Sequence, residues 1–221
     1  NMKFTQDLIQ YVVSKVNNGS LKIKYGDNEI DFSGEWRRIS FAELIKQDCG
    51  IDIMKHKNAK ALLEEIKDKN IELEDMERAE RLGKGQLADM LYKRVSRYKI
   101  VNPTFITSHP TELSPLARRN DSNPEITDRF QLVVNGWEIV NAYSELVDPI
   151  DQRKRLQQQA MERERGDSEA MVMDEDFILC MEYGMPPISG WGLGVDRFVA
   201  LLTNQENLRD VILFPLMKPE E

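Results

Sequence analysis

The stretch FQLVVNGWEIVNAYSEL, residues 130–146, limits the fold more than any other. Two runs rich in β-branched and aromatic residues flank Asn135-Gly136, a pair suited to a two-residue turn in which both central residues take positive φ. The spacing predicts a long hairpin, and with it an antiparallel sheet. From Trp137 onward side chains alternate between faces. Trp137, Ile139, Asn141, Tyr143 and Glu145 are expected on one face, and Glu138, Val140, Ala142, Ser144 and Leu146 on the other. A buried, unpaired carboxylate is costly, so Glu138 and Glu145 must each be exposed, paired, or facing a cation. Asn141, Tyr143 and Glu145 place an amide, an aromatic ring and a carboxylate in one row, which suits an ammonium group. Periodicity alone leaves a second reading open, an ordinary polar face in contact with water.

The flanking segments predict helices set between the strands. Phe4, Leu8, Tyr11, Val12 and Val16 share one helical face, and LKIKYGDNEIDF (21–32) reads as a second hairpin. Ser40 and Glu43 form a capping box before a short helix that Gly50 can close. Residues 41–100 are read as a small helical insertion, with helical spacing at Leu62, Leu63 and Ile66 and again at Leu87, Met90, Leu91 and Val95. Its alternating charge is read as a solvated face in preference to one that contacts nucleic acid. Asp148-Pro149 begins a long helix that Gly166 can end, Asp174 and Gly184 bracket another, and VILFP (211–215) has strand character. The expected fold is α+β, an antiparallel sheet flanked by helices.

Composition narrows the function. Hydrophobic residues make up 41% and charged residues 31%, as in a globular protein, and no apolar run reaches the length of a membrane span. A net charge of −8 disfavours a nonspecific binder of phosphate backbones. Cys49 and Cys180 stand far apart without a metal-ligand pattern and read as free thiols in a cytoplasmic protein. His56 and His109 have no ligand partner at useful spacing and read as structural. In SGWGLGVDRF (189–198), Gly190, Gly192 and Gly194 let the backbone approach something flat or phosphorylated, with Arg197 in the first turn of the helix that follows. Close strand–helix packing explains the same glycines equally well.

Four segments together resemble the C-terminal part of the catalytic domain of class II lysyl-tRNA synthetases. They are HPTELSPLARRNDSNPEITDRF, WEIVNAYSELVDPIDQR, GDSEAMVMDEDFILCMEYGMPP and GWGLGVDRFVALLT followed by LRDVILFPLMKP. The last resembles class II motif 3, and the resemblance spans nearly all of residues 1–221. It implies a lysine–tRNA ligase that acts on L-lysine, ATP and tRNA-Lys with Mg²⁺, as a homodimer in its full-length form. It further implies that Asn141, Tyr143 and Glu145 line the lysine pocket and that Glu138, Gly194, Val195, Asp196 and Arg197 contact ATP. Arg197 is then the catalytic arginine, and Glu138 and Glu145 help hold Mg²⁺. Those two glutamates have opposite parity on an ideal strand, so a shared ion requires a bulge or strong twist within residues 138–142.

The family's F-R-x-E of motif 2 is absent, and GEWRRIS lacks its glutamate. The chain is therefore expected to be a portion lacking motifs 1 and 2 and the anticodon-binding barrel, inactive alone. The alternatives are a protein-lysylating paralogue, like the elongation factor P lysine ligases, and a non-catalytic synthetase-like module.

Overall fold

A computed structural model describes residues 1–215 except 165 and 167–169. The Asp167-Ser168-Glu169 part of one quoted segment and the terminal LMKP lie outside the described residues. Helix α1 (Met2–Val16) leads into the hairpin β1 (Lys22–Tyr25) and β2 (Asn28–Asp31). Strand β3 (Arg37–Ser40) ends where the Ser40 hydroxyl accepts from Glu43 N and starts α2 (Phe41–Cys49). Then come α3 (Ala59–Asp68), α4 (Met76–Ala79), α5 (Lys84–Val95) and β4 (Thr104–Thr107). The long hairpin is β5 (Arg129–Val134) and β6 (Trp137–Ser144), turning at Asn135 (φ 46°) and Gly136 (φ 72°). Helices α6 (Pro149–Glu164) and α7 (Glu175–Glu182), strand β7 (Ser189–Leu193) and helix α8 (Val195–Leu202) complete the elements used below.

The main sheet runs β3-β4-β5-β6-β7 and is α+β as expected. It is mixed where a purely antiparallel sheet was expected, because β3 and β4 pair in parallel. The helices between those two strands form the crossover that a parallel pair needs. Each face of the sheet has its own apolar core. On one, α2, α3 and α5 pack with Ile39, Ile106 and Val133. On the other, α1, α8 and the β1–β2 hairpin pack with Phe130, Leu132, Val134, Val140 and Ala142. Phe130, Leu132 and Val134 alternate with Arg129, Gln131 and Val133, so a one-residue slip of β5 would bring polar side chains into the second core.

VILFP is not a strand. Leu208–Val211 is a 3-10 turn, and Leu213 and Phe214 belong to no strand and are 90% and 91% exposed. Helix α6 ties down the loop before β5. Gln152 Nε2 donates to Pro115 O, and the buried Arg155 reaches both Ser114 O and Ala117 O. No helix among the described residues is long and apolar enough to cross a membrane.

Candidate active site

Strand β6 is irregular within residues 138–142. Val140 pairs with Leu132, but Glu138 pairs with Val133, so Ile139 is an extra residue without a partner. This is a β-bulge. Ile139 and Val140 both turn into the core, each 1% exposed, which corrects the expectation that Ile139 shares a face with Asn141. Beyond the bulge the parity is reset, and Glu138 comes to the same face as Asn141, Tyr143 and the β5 side chains Arg129 and Gln131. The bulge also receives the start of α8. Gly194 N donates to Ile139 O at 2.9 Å, and Arg197 Nη1 donates to Glu138 O at 2.9 Å.

Glu138 and Arg197 line one cavity of about 580 Å³, with Tyr92 and the neighbouring α5 side chains on the opposite wall. Arg129, Gln131 and His109 line it too. Gln131 Nε2 donates to Glu138 Oε2 at 2.6 Å, and His109 Nε2 lies 3.0 Å from Gln131 Oε1. Arg129 donates through Nε to Asn141 Oδ1 at 3.0 Å and through Nη1 to Leu113 O and Ser114 Oγ. Burial, aided by the Arg129 charge, lowers the His109 pKa to about 3 and keeps the ring neutral. Burial also lowers Arg129, with the Glu138 charge acting the other way.

Asn141 and Tyr143 lie further along β6, opposite Gly192 and Gly190 of β7. Those glycines place no side chain on the site face. A Cβ at Gly190 would run into the Glu145 carboxylate, so the open strand is what gives that carboxylate its room. Glu145 follows the end of β6, bridges to Ala117, and donates its backbone N–H to Ile188 O. Burial pushes its carboxyl pKa up. Burial also raises Tyr143, reinforced by the Glu145 charge. A partly desolvated carboxylate beside a phenol ring is short of positive charge, and an ammonium group meets that need.

The shared-metal assignment needs correction. Glu138 and Glu145 now face the same way, but most of β6 separates them. At about 3.3 Å per residue, with one residue taken up by the bulge, their Cα atoms stand roughly 20 Å apart. Two glutamate side chains cannot close that gap onto one Mg²⁺, which holds each oxygen at about 2.1 Å. Nor do the described residues contain a group of three or more metal-ligating side chains. The donor set fits a different case, in which Glu138 alone meets an ion that takes its other ligands from phosphates and water.

Glu138, Gly194 and Arg197 are therefore brought together, and Asn141, Tyr143 and Glu145 form a second cluster. Arg129 links the two, since it is clamped on Asn141 and also lines the cavity. Val195 and Asp196 open α8 beside Arg197. Sequence reasoning missed Arg129, Gln131 and Tyr92, and it took His109 as structural. The β5 residues were detectable: Arg129 and Gln131 alternate with Phe130 and Leu132, so period two puts them on the polar face.

The chain matches the family model of class II tRNA synthetases (D, K and N) over residues 1–218. It is similar to the lysine–tRNA ligase of Porphyromonas gingivalis, 46% identical over 220 residues, covering 100% of this chain and 37% of that protein. It is also similar to the lysine–tRNA ligase of Thermosipho africanus, 45% identical over 218 residues, covering 99% of this chain and 42% of that one. The Bacillus cereus lysine–tRNA ligase is 42% identical over 220 residues, covering 100% of this chain and 43% of the relative. The chain thus spans about two fifths of the length of these curated relatives.

Proposed function

We propose, from the premise that this chain belongs to the class II tRNA synthetases (D, K and N), that it carries the lysine pocket and part of the ATP site of a lysine–tRNA ligase. The observation that supports this most is Glu145, partly buried with a raised pKa, at the end of the row Asn141–Tyr143 and beneath the Gly190–Gly192 face of β7. In this reading Glu145 pairs with the substrate ammonium and the Tyr143 ring lies against its methylene chain. Asn141 accepts from Arg129 through Oδ1, which leaves its amide N–H groups to orient the ligand.

The lysine carboxylate oxygen attacks the α-phosphorus of ATP. A new O–P bond forms as the bond to the bridging oxygen breaks, and pyrophosphate leaves with the electron pair. Arg197, held at the bulge by Glu138 O, sets a permanent positive charge where negative charge collects on the phosphates. Gly194, Val195 and Asp196 offer backbone beside the nucleotide. Mg²⁺ carried by ATP would be held by Glu138 and would supply further neutralisation at the phosphates. Residues 41–100 act as a helical insertion that walls this cavity. The adenylate would then pass its lysyl group to tRNA-Lys, in a homodimeric cytoplasmic enzyme.

The test is a chimaera in which this chain replaces the matching 220 residues of the Porphyromonas gingivalis lysine–tRNA ligase. ATP–pyrophosphate exchange that depends on lysine and not on aspartate or asparagine is expected, with loss in Glu145→Ala and Arg197→Ala. A folded chimaera that exchanges with aspartate, or with no amino acid, refutes the reading.

A further inference from the structure

We infer that Gln131 and His109 are positioning residues for Glu138, joined to it in a directed hydrogen-bond relay that leaves one carboxylate oxygen for a cation in the cavity. The inference rests on the cation-holding role proposed above for Glu138.

The direction of the relay follows from which groups can donate. An ionised carboxylate only accepts, so the Gln131 group 2.6 Å from Glu138 Oε2 is the amide NH₂. The Gln131 carbonyl then faces His109, and a carbonyl only accepts. His109 must therefore carry its proton on Nε2, 3.0 Å away. Donation runs from histidine to glutamine to glutamate. The neutral Nε2–H tautomer and the imidazolium both donate from Nε2, so the relay keeps its direction across pH.

Two further observations separate this arrangement from ordinary packing. His109 is only 2% exposed, and its Nδ1 is buried without a hydrogen-bond partner. An apolar side chain of similar size would avoid that cost, so what the histidine contributes is its donor nitrogen. Its ring lies 5.2 Å from that of Phe41 on α2, which fixes the ring plane from outside the sheet. At the other end, Glu138 is fixed twice. Its backbone carbonyl accepts from Arg197 and its Oε2 accepts from Gln131. The committed Oε2 leaves Oε1 as the oxygen for a divalent ion.

The test combines two measurements on the chain as it stands. Side-chain NMR is expected to show His109 as the Nε2–H tautomer from pH 5 to 8. It should also show a Gln131 amide proton exchanging at least tenfold more slowly than a surface glutamine, with that protection lost in Glu138→Ala. Mn²⁺ binding in the presence of ATP, followed by electron paramagnetic resonance, is expected to weaken about tenfold in Gln131→Met and about threefold in His109→Phe. A freely exchanging Gln131 amide, or an Nδ1–H tautomer, overturns the relay. Mn²⁺ binding that Glu138→Gln weakens and Gln131→Met leaves unchanged overturns the positioning role alone. Mn²⁺ binding that is absent, or the same in Glu138→Gln, overturns the cation role of Glu138 and the positioning role with it.

Discussion

Replacing Arg155 with Met should cost this fold about 3–5 kcal/mol, as breaking a buried charge network does. Methionine keeps most of the stem volume, so the loss is polar. Arg155 Nε and Nη2 reach Asp151 Oδ2 at 3.1 and 2.7 Å, and Nη1 reaches Ser114 O at 3.2 Å and Ala117 O at 2.7 Å. Ser114 and Ala117 are buried, and each carbonyl left without a donor costs about 1–3 kcal/mol. Asp151 loses less, because Arg119 stays 3.3 Å away and its side chain is 25% exposed. Urea unfolding followed by circular dichroism measures the total. Asp151→Asn, which leaves both carbonyls satisfied, should cost about 1.5–3 kcal/mol, the value of a hydrogen bond to a charged group.

The acid limb gives a second reading of the same network. Burial pushes the Asp151 carboxyl up, but hydrogen bonds from Arg155 and Arg119 outweigh it and hold the pKa below the usual value. Its contribution to stability is complete above the unfolded value near 3.9 and is lost as pH falls through the lower folded value. That acid-side loss should shrink in Arg155→Met. A cost below about 1 kcal/mol with an unchanged acid limb would refute the view that Arg155 holds residues 114–117 in place.

Gly190→Ala places a methyl group against the Glu145 carboxylate. Stability should change by less than about 1.5 kcal/mol, the cost of an off-rotamer shift, while the lysine KM of the chimaera rises about 10- to 100-fold. An unchanged KM would mean that Glu145 does not meet the substrate. His109 stays neutral in the fold down to about pH 3, whereas the unfolded chain binds its proton near 6.5. Stability should fall by about 1.4 kcal/mol per pH unit as pH drops between those values, and His109→Gln should remove that component. Equal slopes in the two proteins, measured by urea unfolding from pH 6.5 to 4.5, would rule it out. The Tyr92 hydroxyl is buried without a hydrogen-bond partner, so Tyr92→Phe should be neutral or stabilising by up to about 1 kcal/mol in thermal unfolding.

Local chemistry made much of the fold legible. The Asn135-Gly136 turn, the Ser40 cap and the Asp174 cap each follow from one or two residues and their immediate neighbours. The parallel β3–β4 pair does not, because nothing in RRIS or TFIT states the direction of its partner. VILFP has strand composition, but a strand also needs an edge to pair with, and composition carries no information about that. The bulge is an intermediate case. Strict alternation put Ile139 beside Asn141, whereas the shared ion that the family resemblance implied for the two glutamates required an irregularity there, and the ladder has one. Their shared ion failed for a reason already present in the sequence, since seven positions along a strand are too many for one metal.

The bulge at Ile139 acts as a common datum for two opposite charges. Glu138 and Arg197 are far apart in the chain, but Arg197 is referenced to the carbonyl of Glu138 itself, and the turn before α8 to the carbonyl of the next residue. Their spacing is thus set by a single step of backbone. Changes in loop length between β6 and α8, or flexing of the sheet, should carry the carboxylate and the guanidinium together. A side chain added elsewhere can alter how the cavity is entered, but the backbone points from which its negative and positive groups project will change their spacing only when the peptide at 138–139 is itself rebuilt.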